Sequence, residues 1–238
     1  MTVAAPRSRT RCVIVFARAP LVEARAKGMP AAERLFACAR HRVLAAAAAS
    51  GGDVILAAPG PAGPSPTGVR HLPQRGRSFA ERLESAFADA RALGYRDIVM
   101  VPADVPRLEA RHLRTAFRRL GDRPTVLGPS PDGGVYLLGV RGDFAPVLAG
   151  IPWCTRLVCA RLLAKPGGAA LLPPLADVDS HRHLRALRDD PGLDAELSFL
   201  ARALLVRAAF PRPGAGVSRV AAPCRSALAS RPPPSAAA

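Results

Sequence analysis

Asp97-Ile98-Val99-Met100-Val101-Pro102-Ala103-Asp104-Val105-Pro106-Arg107-Leu108 is the stretch whose reading decides the fold. Residues 98–101 form a short, continuous apolar run, the pattern of a strand buried on both faces. Such strands belong to parallel sheets covered by helices. Pro102 and Pro106 fix backbone angles and remove donors. Asp104 is therefore held at a defined point just past the carboxyl end of a buried strand. In open α/β sheets that is the edge at which ligands bind.

Working outward, further strands are expected at 12–17, 53–58, 69–72, 125–127 and 135–140, with an extended segment at 171–178. Helices are expected at 30–49, 78–93, 109–120, 154–163, 181–189 and 193–209. Ser78 followed by Glu81 fits a capping box, and Gly94 a stop. Residues 59–68, rich in proline and glycine, read as a loop. Strands alternating with helices imply an α/β fold with a mostly parallel central sheet covered on both faces. The loops after Ala17, Val101 and Leu127 should then carry the site.

The chain has 238 residues, a length that suits one α/β domain and buries a sizeable core without staples. We expect an N-terminal extension at 1–10, the domain at 11–209, and a disordered tail rich in proline, alanine and arginine at 210–238. The formal net charge is +16, almost all of it arginine; Lys27 and Lys165 are the two lysines. The arginines spread over the whole chain, whereas a nucleic-acid footprint concentrates on one face or tail. No specific nucleic acid is expected. Five cysteines, an odd number with no C-x-x-C pair, argue for free thiols rather than a zinc or disulfide framework. No segment reads as a membrane span or a signal peptide, so the cytoplasm is the expected location.

Three segments can carry chemistry. Asp104 offers the carboxylate that a hard divalent cation needs to clamp a diphosphate; read alone, it could equally cap a turn. Gly128-Pro129-Ser130-Pro131-Asp132-Gly133-Gly134-Val135-Tyr136 lets a ligand approach the backbone; read alone, Asp-Gly is a hairpin turn and Tyr136 a packed strand aromatic. In Asp177-Val178-Asp179, alternation points both carboxylates to one side, an arrangement that wants a cation; Asp179 could also cap the helix that follows. Trp153 suits stacking or packing. His112, His181 and His183 read as solvated or capping residues.

As an ordered set, the segments resemble a bacterial GT-A-like family long classed as a domain of unknown function. Some members are labelled glycosyltransferases of arsenosugar biosynthesis. The matching residues are Phe16 to Pro20, Gln74 with Phe79 and Arg82, Asp104 to Leu108, Gly128 to Gly139, Gly150 to Trp153, and Leu175 to Asp179. The resemblance covers roughly positions 12 to 188. It implies a GT-A, Rossmann-like three-layer fold and a metal-dependent glycosyltransferase using a nucleotide-sugar donor and an acceptor that remains open. The alternatives are a nucleotidyltransferase of the same fold, related to molybdopterin-type enzymes and using a nucleoside triphosphate, or a degenerate member that only binds a nucleotide or polyanion. A homodimer is compatible with it. Asp104 and Asp177 are the expected ligands of Mg2+ or Mn2+. Asp132 and Asp179 are the candidate catalytic carboxylates. Arg18, Arg25, Lys27, Gln74, Arg82, Gly133, Gly134, Tyr136 and Trp153 are the candidate substrate-binding residues.

The chain departs from the family pattern after the first strand. Glu23 stands at the glycine position, the Lys-Thr-Arg-Leu run is lost, and Lys27 is displaced by one residue. That loop should bring cations to the donor phosphates. Arg18, Arg25 and Lys27 could still supply the charge, whereas Glu23 would repel phosphates if it faced them.

Overall fold

The computed structural model describes residues 10–60 and 67–209. The expected tail at 210–238 and, apart from Thr10, the expected N-terminal extension lie outside the described residues. Among the described residues, one sheet contains β1 (Arg11–Phe16), β2 (Asp53–Ala58), β3 (Val69–Pro73), β4 (Asp97–Pro102), β5 (Thr125–Pro129), β6 (Val135–Arg141) and β7 (Ala169–Leu171). Their order is β3-β2-β1-β4-β6-β5-β7. β6 runs antiparallel to both neighbours, and the other pairings are parallel. β5 and β6 form a hairpin across Asp132-Gly133, with an irregular register at Gly128/Pro129. The turn reading of that segment is therefore correct.

The apolar runs are continuous because each central strand is buried twice. Val13, Val15, Val99 and Val101 enter one core, against α2 (Glu33–Ala48) and α4 (Ala110–Asp122). Cys12, Ile14, Ile98 and Met100 enter the other, against α3 (Phe79–Ala92), α5 (Ala145–Leu148) and α6 (Val158–Leu163). The result is the expected three-layer α/β architecture. A third apolar cluster joins α1 (Pro20–Ala26), the amino-terminal part of α2, α7 (His181–Arg188) and α8 (Ala195–Ala209). Val178 is buried in this cluster, which pins the segment before α7 beside β4.

Several local expectations are corrected. Pro20 begins a helix, α1, rather than continuing a loop; proline is well suited to the first helical position. The helix expected from residue 30 starts as a 3-10 turn, Pro30–Ala32, before α2. The helix expected from 154 starts only at Val158, because Cys154 has φ +64, a left-handed conformation that cannot seed a right-handed helix. Of the extended segment at 171–178, only Leu171 belongs to a strand, β7, while Leu172 and Leu175 donate to the Leu127 and Pro129 carbonyls of β5 at 2.9 and 3.2 Å. Ser78 does cap α3 in a full capping box with Glu81.

Candidate functional site

The carboxyl ends of β1, β4 and β5 open into a cleft of about 570 Å³. The three loops singled out after Ala17, Val101 and Leu127 all contribute to its wall.

At one end lies an acidic cluster. Asp104 follows β4 and is 9% exposed. Its backbone carbonyl accepts a hydrogen bond from the Val178 N–H at 3.0 Å. That bond, with Val178 buried, sets Asp177 and Asp179 on either side of it beside Asp104. Each of the three carboxylates offers an oxygen within 4.8 Å of the others. Asp104 Oδ1 is buried without a hydrogen-bond partner. Burial, then the Asp104 and Asp179 charges, push the Asp177 carboxyl up to about 8.

Lys27 sits inside this cluster. Seven residues of α1 carry the chain from the end of β1 back over the cleft, and Lys27 is the helix's C-cap residue. Its ammonium bonds to Asp104 Oδ2, to the Val178 carbonyl at 2.8 Å and to Asp179 Oδ1 at 2.7 Å. Glu23, one helical turn earlier, lies 3.3 Å from it and also faces Arg18 at 3.6 Å. Burial alone would lower the lysine pKa, but Asp104, Asp179 and Glu23 hold it well above the ordinary range. Burial alone would raise Asp179, but Lys27 keeps it below the usual carboxylate value.

The opposite wall is aromatic and cationic. Phe16 and Phe79 meet edge to face at 5.6 Å, and Phe79 lies 5.8 Å from Trp153. All three rings line the cleft, with Arg82 and Arg156. Across the whole cleft Glu23, Asp104, Asp132, Asp177 and Asp179 face Arg18, Lys27, Arg40, Arg82 and Arg156. Formal charge therefore balances when all ten are ionised.

Of the residues expected at a site, Arg18, Lys27, Gln74, Arg82, Asp104, Asp132, Gly134, Trp153, Asp177 and Asp179 line the cleft. Asp132 is exposed at its rim, with Oδ1 accepting the Gly134 N–H at 2.9 Å. Gln74 spends its amide donors on the Ala17 and Ala57 carbonyls, at 3.0 and 2.9 Å, tying the ends of β1 and β2 together. Three expected substrate residues are not brought to the cleft. Arg25 is exposed elsewhere on α1, since residues two apart on a helix do not share the face of Glu23 and Lys27. Tyr136 points to the opposite core, because Val135 takes the cleft side of β6. Its hydroxyl donates to the Pro173 carbonyl at 3.0 Å. Gly133, at φ +90, packs so tightly on the next segment that a Cβ there would lie 2.2 Å from the Arg156 carbonyl oxygen.

Glu23, Arg40, Ser130 and Arg156 line the cleft but were not expected there as binding residues. Arg40 was findable: it lies one helical turn after Phe36, which also lines the cleft. Ser130 Oγ, like Asp104 Oδ1, is buried without a partner. His112 and His183 behave as capping residues, accepting the Glu109 and Asp179 backbone N–H groups at 3.0 Å. Cys12, Cys38 and Cys159 are free thiols, as expected. Among the described residues, no helix is long and apolar enough to cross a membrane.

Residues 30–155 match the family described as "Uncharacterized protein conserved in bacteria (DUF2064)". That is more than half of the chain, and the chain belongs to this family. No curated protein matches it. Among solved structures, it is similar to a candidate nucleotide-diphospho-sugar transferase from Desulfovibrio desulfuricans G20, with TM-score 0.69 and 21% identity, over 83% of this chain and 97% of that one. The Rv0371c homologue from Mycobacterium sp. strain JC1 matches with TM-score 0.56 and 17% identity, over 83% of this chain and 100% of that one. Rv0371C from Mycobacterium tuberculosis H37Rv, solved in complex with manganese, matches with TM-score 0.52 and 18% identity, over 75% of this chain and 97% of that one. These likenesses establish the shared fold.

Proposed function

We propose that this chain is a transferase acting on a nucleotide-activated donor, most simply a nucleotide-sugar, with a divalent cation held at Asp104, Asp177 and Asp179. The observation that carries the reading is the juxtaposition of three carboxylates with an aromatic wall in one cleft at the carboxyl edge of the sheet. The donor set suits Mg2+ or Mn2+, which prefer oxygen ligands, and the buried, unpartnered Asp104 Oδ1 is an acceptor awaiting a cation. When bound, such an ion neutralises developing charge on a leaving diphosphate. Two similar structures support the reading: one protein is named for nucleotide-diphospho-sugar transfer and another was solved with manganese.

The roles of the chain's own residues follow from their placement. Arg18 and Lys27 face the donor phosphates from α1 and the turn before it. Trp153, Phe79 and Phe16 offer an apolar wall for a flat base or a sugar face. Arg82 and Arg156 add charge beside that wall. Asp132, at the rim, is the candidate to orient or deprotonate an acceptor hydroxyl, because Asp179 is committed to the cation cluster. Charge in the cleft explains why a cation should accompany the donor: with Asp177 protonated, the lining acids still offset all but one of the lining bases, less than a diphosphate carries.

The test is thermal stability against nucleoside diphosphates, triphosphates and nucleotide-sugars, each with and without Mn2+ or Mg2+. A metal-dependent rise for one donor class is expected. No rise for any member of the panel would contradict the proposal.

A further inference from the structure

Lys27 occupies the place in which the proposed cation should sit. Its ammonium is bonded to Asp104 and Asp179, two of the three carboxylates of the cluster, and to the Val178 carbonyl between Asp177 and Asp179. Glu23 is 3.3 Å away. The side chain is 11% exposed, so its three N–H donors are spent on these oxygens. A divalent ion bridging these carboxylates would compete with the ammonium for Asp179 and lie against it at Asp104, where two cations repel.

We propose that Lys27 is an internal counter-cation that competes with a divalent ion for the carboxylate cluster, and that the donor's phosphates favour the ion by drawing the ammonium away. This rests on the reading of the cleft given above. Arg18 already faces Glu23, which leaves Lys27 as the cation against Asp104 and Asp179 and an excess of negative charge. The cluster is thus held together by Lys27 without being neutralised by it. Release needs only rotation of the Lys27 side chain, which extends from the C-cap position of α1. The side chain also lines the cleft, so a short swing brings the ammonium to a phosphate there. Metal and donor then bind with positive coupling, each weak alone.

The two lysines of the chain, Lys27 and Lys165, make the idea directly readable. Wild-type protein is labelled with acetic anhydride, with and without Mn2+, and acetylation is quantified at both lysines by mass spectrometry. Mn2+ affinity is measured by electron paramagnetic resonance for wild type, Lys27→Met and Asp104→Asn. The expected result is a severalfold rise in Lys27 labelling as Mn2+ saturates the wild type, with Lys165 unchanged. Lys27→Met should bind Mn2+ at least tenfold more tightly than wild type, and Asp104→Asn more weakly. If wild type binds Mn2+ through Asp104 while Lys27 stays protected and Lys27→Met shows no gain, the counter-cation proposal fails and the metal reading stands. If neither wild type nor Lys27→Met binds Mn2+, both fail. Should Lys27→Met not fold, the labelling of wild type decides alone.

Discussion

The two ends of the cleft are built differently. The acidic end is assembled by backbone: Asp104 at the end of β4, and the Asp177–Asp179 segment bonded to it through Val178. The aromatic end is assembled by side chains from distant segments, with Phe16 from β1, Phe79 from α3 and Trp153 from the loop before α6. The acidic end needs exact positions for a few oxygens. The aromatic end needs only apolar surface of the right shape. The contrast predicts that changes at the first end should act on the chemical step and on metal, and changes at the second on donor affinity.

The sharpest way to break that division is Asp104→Asn. Turnover should fall by about a thousandfold, the scale of losing a central electrostatic contact, with the circular dichroism spectrum unchanged. Retained turnover would remove Asp104 from the chemistry. Trp153→Ala should instead raise the donor KM by roughly ten- to a hundredfold, the worth of base–aromatic stacking, with little change in kcat. A fall confined to kcat would contradict the assigned role. Gly128→Ala tests neither end but the layer behind them. A Cβ there would lie 2.4 Å from the Tyr136 ring, so stability measured by urea unfolding should drop by about 1–3 kcal/mol, the usual cost of overpacking.

A smaller effect concerns pH at the acidic end. Asp177 is pushed up to about 8 by burial and its carboxylate neighbours, above its unfolded value of about 4. Between those values the unfolded chain has lost this proton while the folded chain keeps it. The contribution to stability is therefore full below about pH 4 and is lost as pH rises toward 8. Metal-free Asp177→Asn should show a flatter melting temperature across that window than wild type; parallel profiles would contradict the shift. Smallest of all, Arg25→Ala should leave donor affinity unchanged, because Arg25 is turned away from the cleft.

The difference between the two ends also explains what the sequence revealed. Asp104, Asp177 and Asp179 are legible because a buried strand, its proline-bounded loop and a period-two alternation each fix position locally. Val178 between the aspartates is the buried residue that alternation requires. Lys27 was legible as a cation of the phosphate loop, but not as a partner of Asp104. That contact depends on α1, whose start at Pro20 looks like a loop signal. Tyr136 illustrates a wrong face: its segment was identified, but only the pairing of β6 decides that Val135 faces the cleft. Arg156 gave no local signal, since tertiary packing against Gly133 brings its segment to the site.

The central claim is that a divalent cation on the aspartate cluster couples this cleft to a nucleotide-activated donor. Isothermal titration of nucleotide-sugars into wild type and Asp104→Asn, each with and without Mn2+, tests it most directly. The account predicts that one donor binds wild type with Mn2+, and that this binding is strongly reduced without the metal or in Asp104→Asn. Donor binding of equal strength in all four conditions would contradict it.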